Sequence, residues 1–117
     1  MHYMLLILEP HGHRAERTEA EGRAACDAML RHADALKARG VLHAAQSLRT
    51  DTEGVRVKVR GGRRTLVDGP FSESKEMVGG YFLVECSSRD EAVEIAAAIP
   101  AAAWATVEVR EFGPCFL

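Results

Sequence analysis

The chain opens on Tyr3-Met4-Leu5-Leu6-Ile7-Leu8, an apolar run without polar alternation. A strand with that pattern has both faces covered. Glu9-Pro10-His11-Gly12-His13 interrupts the run with turn residues. Thr18-Glu19-Ala20-Glu21 then sets a hydroxyl and a carboxylate at capping-box spacing. Helix formers continue to Arg39, and Gly40 stands where a left-handed cap ends a helix. Ala25, Met29, Ala33 and Leu36 recur as one apolar stripe, with Arg23, Asp27, Arg31, Asp34 and Lys37 on the other faces.

Val41 to Leu48 reads as a short strand. Val55-Arg56-Val57-Lys58-Val59 alternates strictly, which predicts one buried and one wet face. Gly61-Gly62 fits a type I′ hairpin turn, and Arg64 to Val67 forms the return strand. Asp68 to Gly79 is a long polar connection of the kind that is functional or mobile. Gly80-Tyr81-Phe82-Leu83-Val84-Glu85-Cys86 is a second, mostly apolar strand. Ser88-Arg89-Asp90-Glu91 repeats the capping-box spacing and opens a helix to about Ala98, with Ala92, Val93, Ala96 and Ile99 on one face and Pro100 just beyond. Trp104 to Val109 is the last strand, and Phe112 to Leu117 a short tail.

With the hairpin set aside, the order is β-α-β-β-α-β, an α+β chain of ferredoxin-like topology with an inserted β-hairpin. Two helices cover only one face of such a sheet. The runs Met4–Leu8 and Tyr81–Val84 ask for cover on the other face as well. A second copy of the same sheet supplies it most simply, so the pattern predicts a homodimer packed face to face, with further association of dimers left open.

Composition narrows the class. The 117 residues make one domain, 1–117, with 47% hydrophobic and 27% charged residues. A net charge of -2 argues against nucleic acid and against a polybasic membrane surface. No apolar run approaches the roughly 20 residues of a membrane helix, and Met1-His2-Tyr3 lacks the basic start of a secretory signal. Cys26, Cys86 and Cys115 are odd in number and widely spaced, which suits a reducing, cytoplasmic setting. With no dinucleotide fingerprint, haem-attachment motif or cysteine cluster, no cofactor is expected.

Asp68-Gly69-Pro70-Phe71-Ser72-Glu73-Ser74-Lys75-Glu76, followed by Gly79-Gly80-Tyr81, resembles the signature of the YCII-related family in its DGPF-domain branch. The flanks Arg56–Arg60, Thr65–Val67, Asp90–Ala92 and Val107–Arg110, with the opening Tyr3-Met4-Leu5-Leu6, resemble that branch too, so the likeness spans nearly the whole chain. It implies a dimeric α/β-barrel. It implies no fixed reaction, since the wider superfamily holds small enzymes acting on ring-shaped acids and chlorinated aromatics beside members without known activity. The association of such domains with alternative sigma factors implies a regulatory setting. Some members carry a histidine on the first helix paired with an aspartate near the sheet; here Met29 stands at that helix position, with His32 three residues on.

The candidate residues follow. Asp68 is either a turn-forming carboxylate or, at a pocket mouth, an acid or base. His32 borders the apolar stripe, and a ring packed at that boundary is the plainer reading beside a catalytic one. Lys75 is an anion holder or a loop ion pair. Phe71, Tyr3, Tyr81 and Ser72 complete the expected pocket between the sheet, the first helix and the Asp68–Gly79 loop. Gly79-Gly80 answers a positive φ or a close backbone approach. His11 and His13 are too few for a structural zinc, and no metal is assigned. His43 reads as a half-buried strand residue; Cys26 and Cys86 read as core. Two functions remain open: binding of a small organic acid or aromatic ligand, with elimination or isomerisation by acid–base chemistry, or a non-enzymatic accessory domain that docks a protein partner.

Overall fold

The computed structural model describes residues 1–71 and 73–117. Strand β1 (His2–Pro10) leads through a short helix α1 (His13–Glu16) into the long helix α2 (Glu19–Ala38). Then follow β2 (Leu42–Ser47), a hairpin of β3 (Val55–Arg60) and β4 (Arg63–Asp68), β5 (Glu76–Glu85), α3 (Arg89–Ala98) and β6 (Thr106–Glu111). The main sheet runs β2-β5-β1-β6, each neighbour antiparallel. This is the order a ferredoxin-like α+β domain requires, with α2 and α3 as the crossovers and β3–β4 inserted before β5. No helix among the described residues is long and apolar enough to cross a membrane.

Local chemistry explains the ends of the elements. The Thr18 hydroxyl accepts from Glu21 N at 3.1 Å, and Thr18 N donates to the Glu21 carboxylate at 3.2 Å, so both halves of that capping box form. Ser88 caps α3 through Glu91 N, but the Glu91 carboxylate turns to Ser87 instead of back to Ser88, so the second box is half made. Gly61 and Gly62 both take positive φ, 56° and 75°, as a type I′ turn demands.

The core lies between the sheet and the helices. Tyr3, Leu5, Ile7, Phe82 and Val84 face Leu36 of α2 and Ala92, Ile95, Ala96 and Ile99 of α3. Ile95 takes the buried place expected of Val93, which is 40% exposed. Cys86 is buried, whereas Cys26, expected in the core, is exposed.

In β1 the buried residues alternate with half-buried ones, so Met4, Leu6 and Leu8 form the second face that the helices leave open, the face for which the sequence pattern expects a second copy. One expectation about the outer surfaces changes. The β3–β4 ribbon buries neither face: Val55, Val57 and Val59 are 52%, 58% and 57% exposed. The alternation is present, but the ribbon stands beside the main sheet with no layer of the same chain to receive its valines. The connection after β4 is also shorter than expected, because β5 begins at Glu76 and pairs Met77 with Glu9.

Candidate functional site

Glu9 continues the buried series Tyr3, Leu5, Ile7 along β1 and is only 3% exposed. A carboxylate at a core position needs a partner. Arg14, carried inward by α1, provides it: Nε bonds Glu9 Oε1, while Nη1 donates to the Leu48 carbonyl at 2.8 Å and Nη2 to the Gly79 carbonyl at 3.1 Å. Every guanidinium nitrogen is thereby fixed, and the pair joins β1, α1 and the ends of β2 and β5.

Gly79 makes room for it. The β1–β5 register slips where Ile7 pairs with Gly80 and Leu8 with Val78, which leaves Gly79 as the bulge residue. A Cβ there would stand 2.6 Å from Glu9 Cδ and 2.9 Å from Arg14 Nη2. Close approach of side chains, not a positive φ, is what requires this glycine.

Beside the ion pair lies a cavity of about 590 Å3 between α2 and the sheet. Its origin is the uneven size of the α2 stripe. Leu36, near the C-terminal end, is fully buried, whereas the small residues Gly22, Ala25 and Ala33 line the cavity. Ile7, Ala45, Phe82, Met29 and Trp104 make apolar walls, Tyr81 contributes from the interior strand β5, and Glu9, Arg14, Arg17 and Glu19 are the charged lining, the last three at or before the N-terminal end of α2. The Arg17 guanidinium lies 4.1 Å from the centre of the Trp104 ring, and the His13 ring meets the same indole edge-on at 5.9 Å.

A second cleft lies where the Asp68-Gly69-Pro70-Phe71 turn meets Asp51. Phe71 N donates to Asp51 Oδ2 at 3.4 Å, and a Cβ on Gly69 would fall 2.9 Å from the Asp51 carbonyl carbon. His11 Nδ1 lies 3.3 Å from the same Oδ2, and His11 Nε2 is buried without a partner among the described residues. The Arg56 guanidinium sits 3.8 Å from the centre of the Phe71 ring.

The sequence-derived candidates do not assemble into one pocket. Tyr81 lines the main cavity and Phe71 the second cleft. Asp68 ends β4, paired with Val55 in the ribbon ladder, and its exposed side chain lines neither space; the pocket expected at Asp68 lies instead at Glu9 and Arg14. Lys75 is exposed and contributes its carbonyl to His11 N. Tyr3 is in the core, where burial first and then the Glu111 carboxylate push its phenol above the ordinary value. His32 is half-buried with its ring centre 6.2 Å from that of Phe82, behind the cavity wall; burial and then Arg39 hold its pKa below the ordinary value. Ser72 lies outside the described residues.

Glu9, Arg14, His11 and Asp51 were not singled out by sequence reasoning as site residues. For Glu9 a signal existed: it shares the parity of Leu5 and Ile7, so the alternation places it in the core if the strand runs through it.

Fold and cavity together define a small α+β domain with a ferredoxin-like sheet and a ligand-sized space beneath its first long helix. The YCII-related domain family matches residues 1–113, and the chain belongs to that family. The chain is also similar to an uncharacterised protein of Rhizobium meliloti (strain 1021), 38% identical over 45 residues. That segment is 38% of this chain and 36% of the relative, so the chain matches about a third of the relative's length.

Proposed function

We propose that this YCII-related domain, of the DGPF kind, binds a small organic acid with an apolar or aromatic body in the cavity beneath α2. The observation that carries the reading is the buried Glu9–Arg14 pair at the edge of a mainly apolar cavity, with Arg17, Glu19, Thr18, Gln46 and Ser47 as its other polar lining. Buried ion pairs contribute little net stability compared with well-packed apolar residues. A guanidinium has five N–H donors, and three of those of Arg14 go to Glu9, Leu48 and Gly79. The two free N–H donors of Arg14 and the in-plane N–H edge of Arg17, whose face stacks on Trp104, suit a carboxylate, and the Met29 and Phe82 walls suit a ring.

The test is a thermal-shift and calorimetric panel of benzoate, phenylacetate and their amides against the wild type and Ala25→Trp. The acids should stabilise the wild type by mass action and the amides much less. Ala25→Trp, which fills the cavity from α2, should respond to neither. Equal responses to acid and amide would sink the anion reading; no response at all would favour the accessory-domain reading, in which a protein partner is the ligand.

A second reading places proton transfer in the other cleft, beside Phe71 and apart from the cavity beneath α2, and rests on His11 and Asp51. A carboxylate that holds one imidazole nitrogen leaves the other to accept or donate a proton. His11→Gln should remove turnover of a substrate acid while leaving its binding unchanged.

The homodimer belongs to the same proposal. The half-buried Met4, Leu6 and Leu8 and the exposed valines of the β3–β4 ribbon are the apolar surfaces that a second copy would cover.

A further inference from the structure

On the face of the sheet away from the helices, three side chains converge at the end of three adjacent strands. His2 begins β1, Glu85 ends β5 directly opposite it in register, and His43 stands on β2 at the other side of β5. His43 Nε2 is 2.9 Å and His2 Nε2 3.8 Å from Glu85 Oε1. One ligand atom from each lies within 4.8 Å of the others. The two imidazole rings are 5.0 Å apart at their centres, and Phe112 stacks on His2 at 6.1 Å. Both imidazoles hold the Glu85 carboxyl below its ordinary range, chiefly the hydrogen bond from His43.

We propose that His2, His43 and Glu85 form a binding site for a divalent first-row transition-metal ion, with zinc the ion that fits this set of donors. Two imidazoles and one carboxylate are borderline donors suited to zinc and its neighbours, and too few in oxygen for calcium or magnesium. Metal–ligand bonds of about 2.0–2.1 Å put donor atoms roughly 3.4 Å apart in a tetrahedron. The side chains are about half exposed, at 42%, 46% and 49%, so rotation about their side-chain bonds closes the remaining gap. The hydrogen-bonded strands fix the three Cα positions before the ion arrives, which lowers the ordering cost. Three protein donors leave a fourth position for water or for a donor from outside the chain. The site is complete within one chain and needs neither the cavity beneath α2 nor a second copy.

The experiment is a titration of untagged, chelator-treated protein with zinc chloride at pH 7.5, followed by calorimetry, and with cobalt(II) followed by visible absorption. The variants are His43→Ala, Glu85→Gln and the control pair His11→Ala/His13→Ala. Wild type and control should bind one ion per chain with micromolar or tighter affinity, and cobalt should give the intense bands of a four-coordinate ion. His43→Ala and Glu85→Gln should each weaken binding at least tenfold, with circular dichroism unchanged. Absence of binding to the wild type would overturn the proposal. So would equal affinity in wild type and His43→Ala, or loss confined to the control pair, which would put the ion at the β1–α1 turn.

Discussion

Arg14 reaches across from a one-turn helix to Glu9, which occupies a position that the alternation of β1 reserves for core residues. The pair is therefore both a structural joint and the polar end of the cavity. Removing one member strands the other. Arg14→Met leaves a buried carboxylate without a partner and should cost about 3 kcal/mol in urea unfolding. The double variant Glu9→Met/Arg14→Leu should recover most of that loss and still fail to bind the carboxylates. A double variant as unstable as the single one would contradict the stranded-charge account, and a double variant that still binds the carboxylates would contradict the binding role.

Gly79→Ala tests the same joint from the backbone. The added methyl must displace the ends of the Glu9 or Arg14 side chains and so disturb their pairing, and Glu9 is buried, so a loss of about 1–3 kcal/mol is expected. Gly22→Ala, where nothing lies within 4 Å of an added Cβ, should be neutral or stabilising because helix propensity rises. Equal effects at the two positions in thermal unfolding would count against the close approach at Gly79.

Much of this fold is legible in the sequence because its signals are local. The Thr18–Glu21 box, the Gly61-Gly62 turn and the apolar runs of β1 and β5 each depend on neighbours within a few residues. The cavity is different. It lies where the small residues Gly22 and Ala25 of α2 face it, while Leu36 further along is fully buried, and that depends on how α2 lies over the sheet. Glu9 was read as part of a turn because Pro10 follows it, yet β1 runs through both residues: proline at the end of a strand costs little. For the Asp68-Gly69-Pro70-Phe71 segment the sequence leaves a turn and a pocket mouth equally open; in the fold its glycine and phenylalanine approach Asp51, twenty residues earlier in the chain for Phe71. Contacts of that kind leave no mark in spacing.

The ionisation of His32 gives a pH signature. Its folded-state pKa lies below the ordinary imidazole value, so the unfolded chain binds that proton more readily. Stability should therefore rise with pH between the depressed folded value and about 6.5. His32→Gln removes this term, so its stability should change less than that of the wild type between pH 5.0 and 7.5. A parallel pH dependence in the two proteins would show that His32 titrates alike in both states.

The Thr18 and Ser88 hydroxyls each accept one backbone N–H, so Thr18→Ala and Ser88→Ala should each cost about 1 kcal/mol. The reciprocal bond, from Thr18 N to the Glu21 carboxylate, uses the backbone and survives the first substitution. A loss at Thr18 twice that at Ser88 in chemical denaturation would contradict this.

Pairing of two copies predicts a concentration-dependent mass. Sedimentation of the wild type at micromolar concentration should give twice the chain mass, and Leu6→Arg, on the open face of the sheet, should return it to one chain. A wild type that stays a single chain would leave the ribbon valines without the cover proposed for them.

The central claim is that the space beneath α2 takes a small carboxylate, and the most direct measurement is amide and methyl chemical-shift mapping during titration with benzoate. The expected shifts fall on Ala25, Met29, Ala45, Gly79 and Phe82 and on the indole of Trp104, with the guanidinium of Arg14 or Arg17 moving in step. Shifts confined to Asp68, Lys75 and the β3–β4 ribbon would contradict the account and return the site to the turn that follows β4.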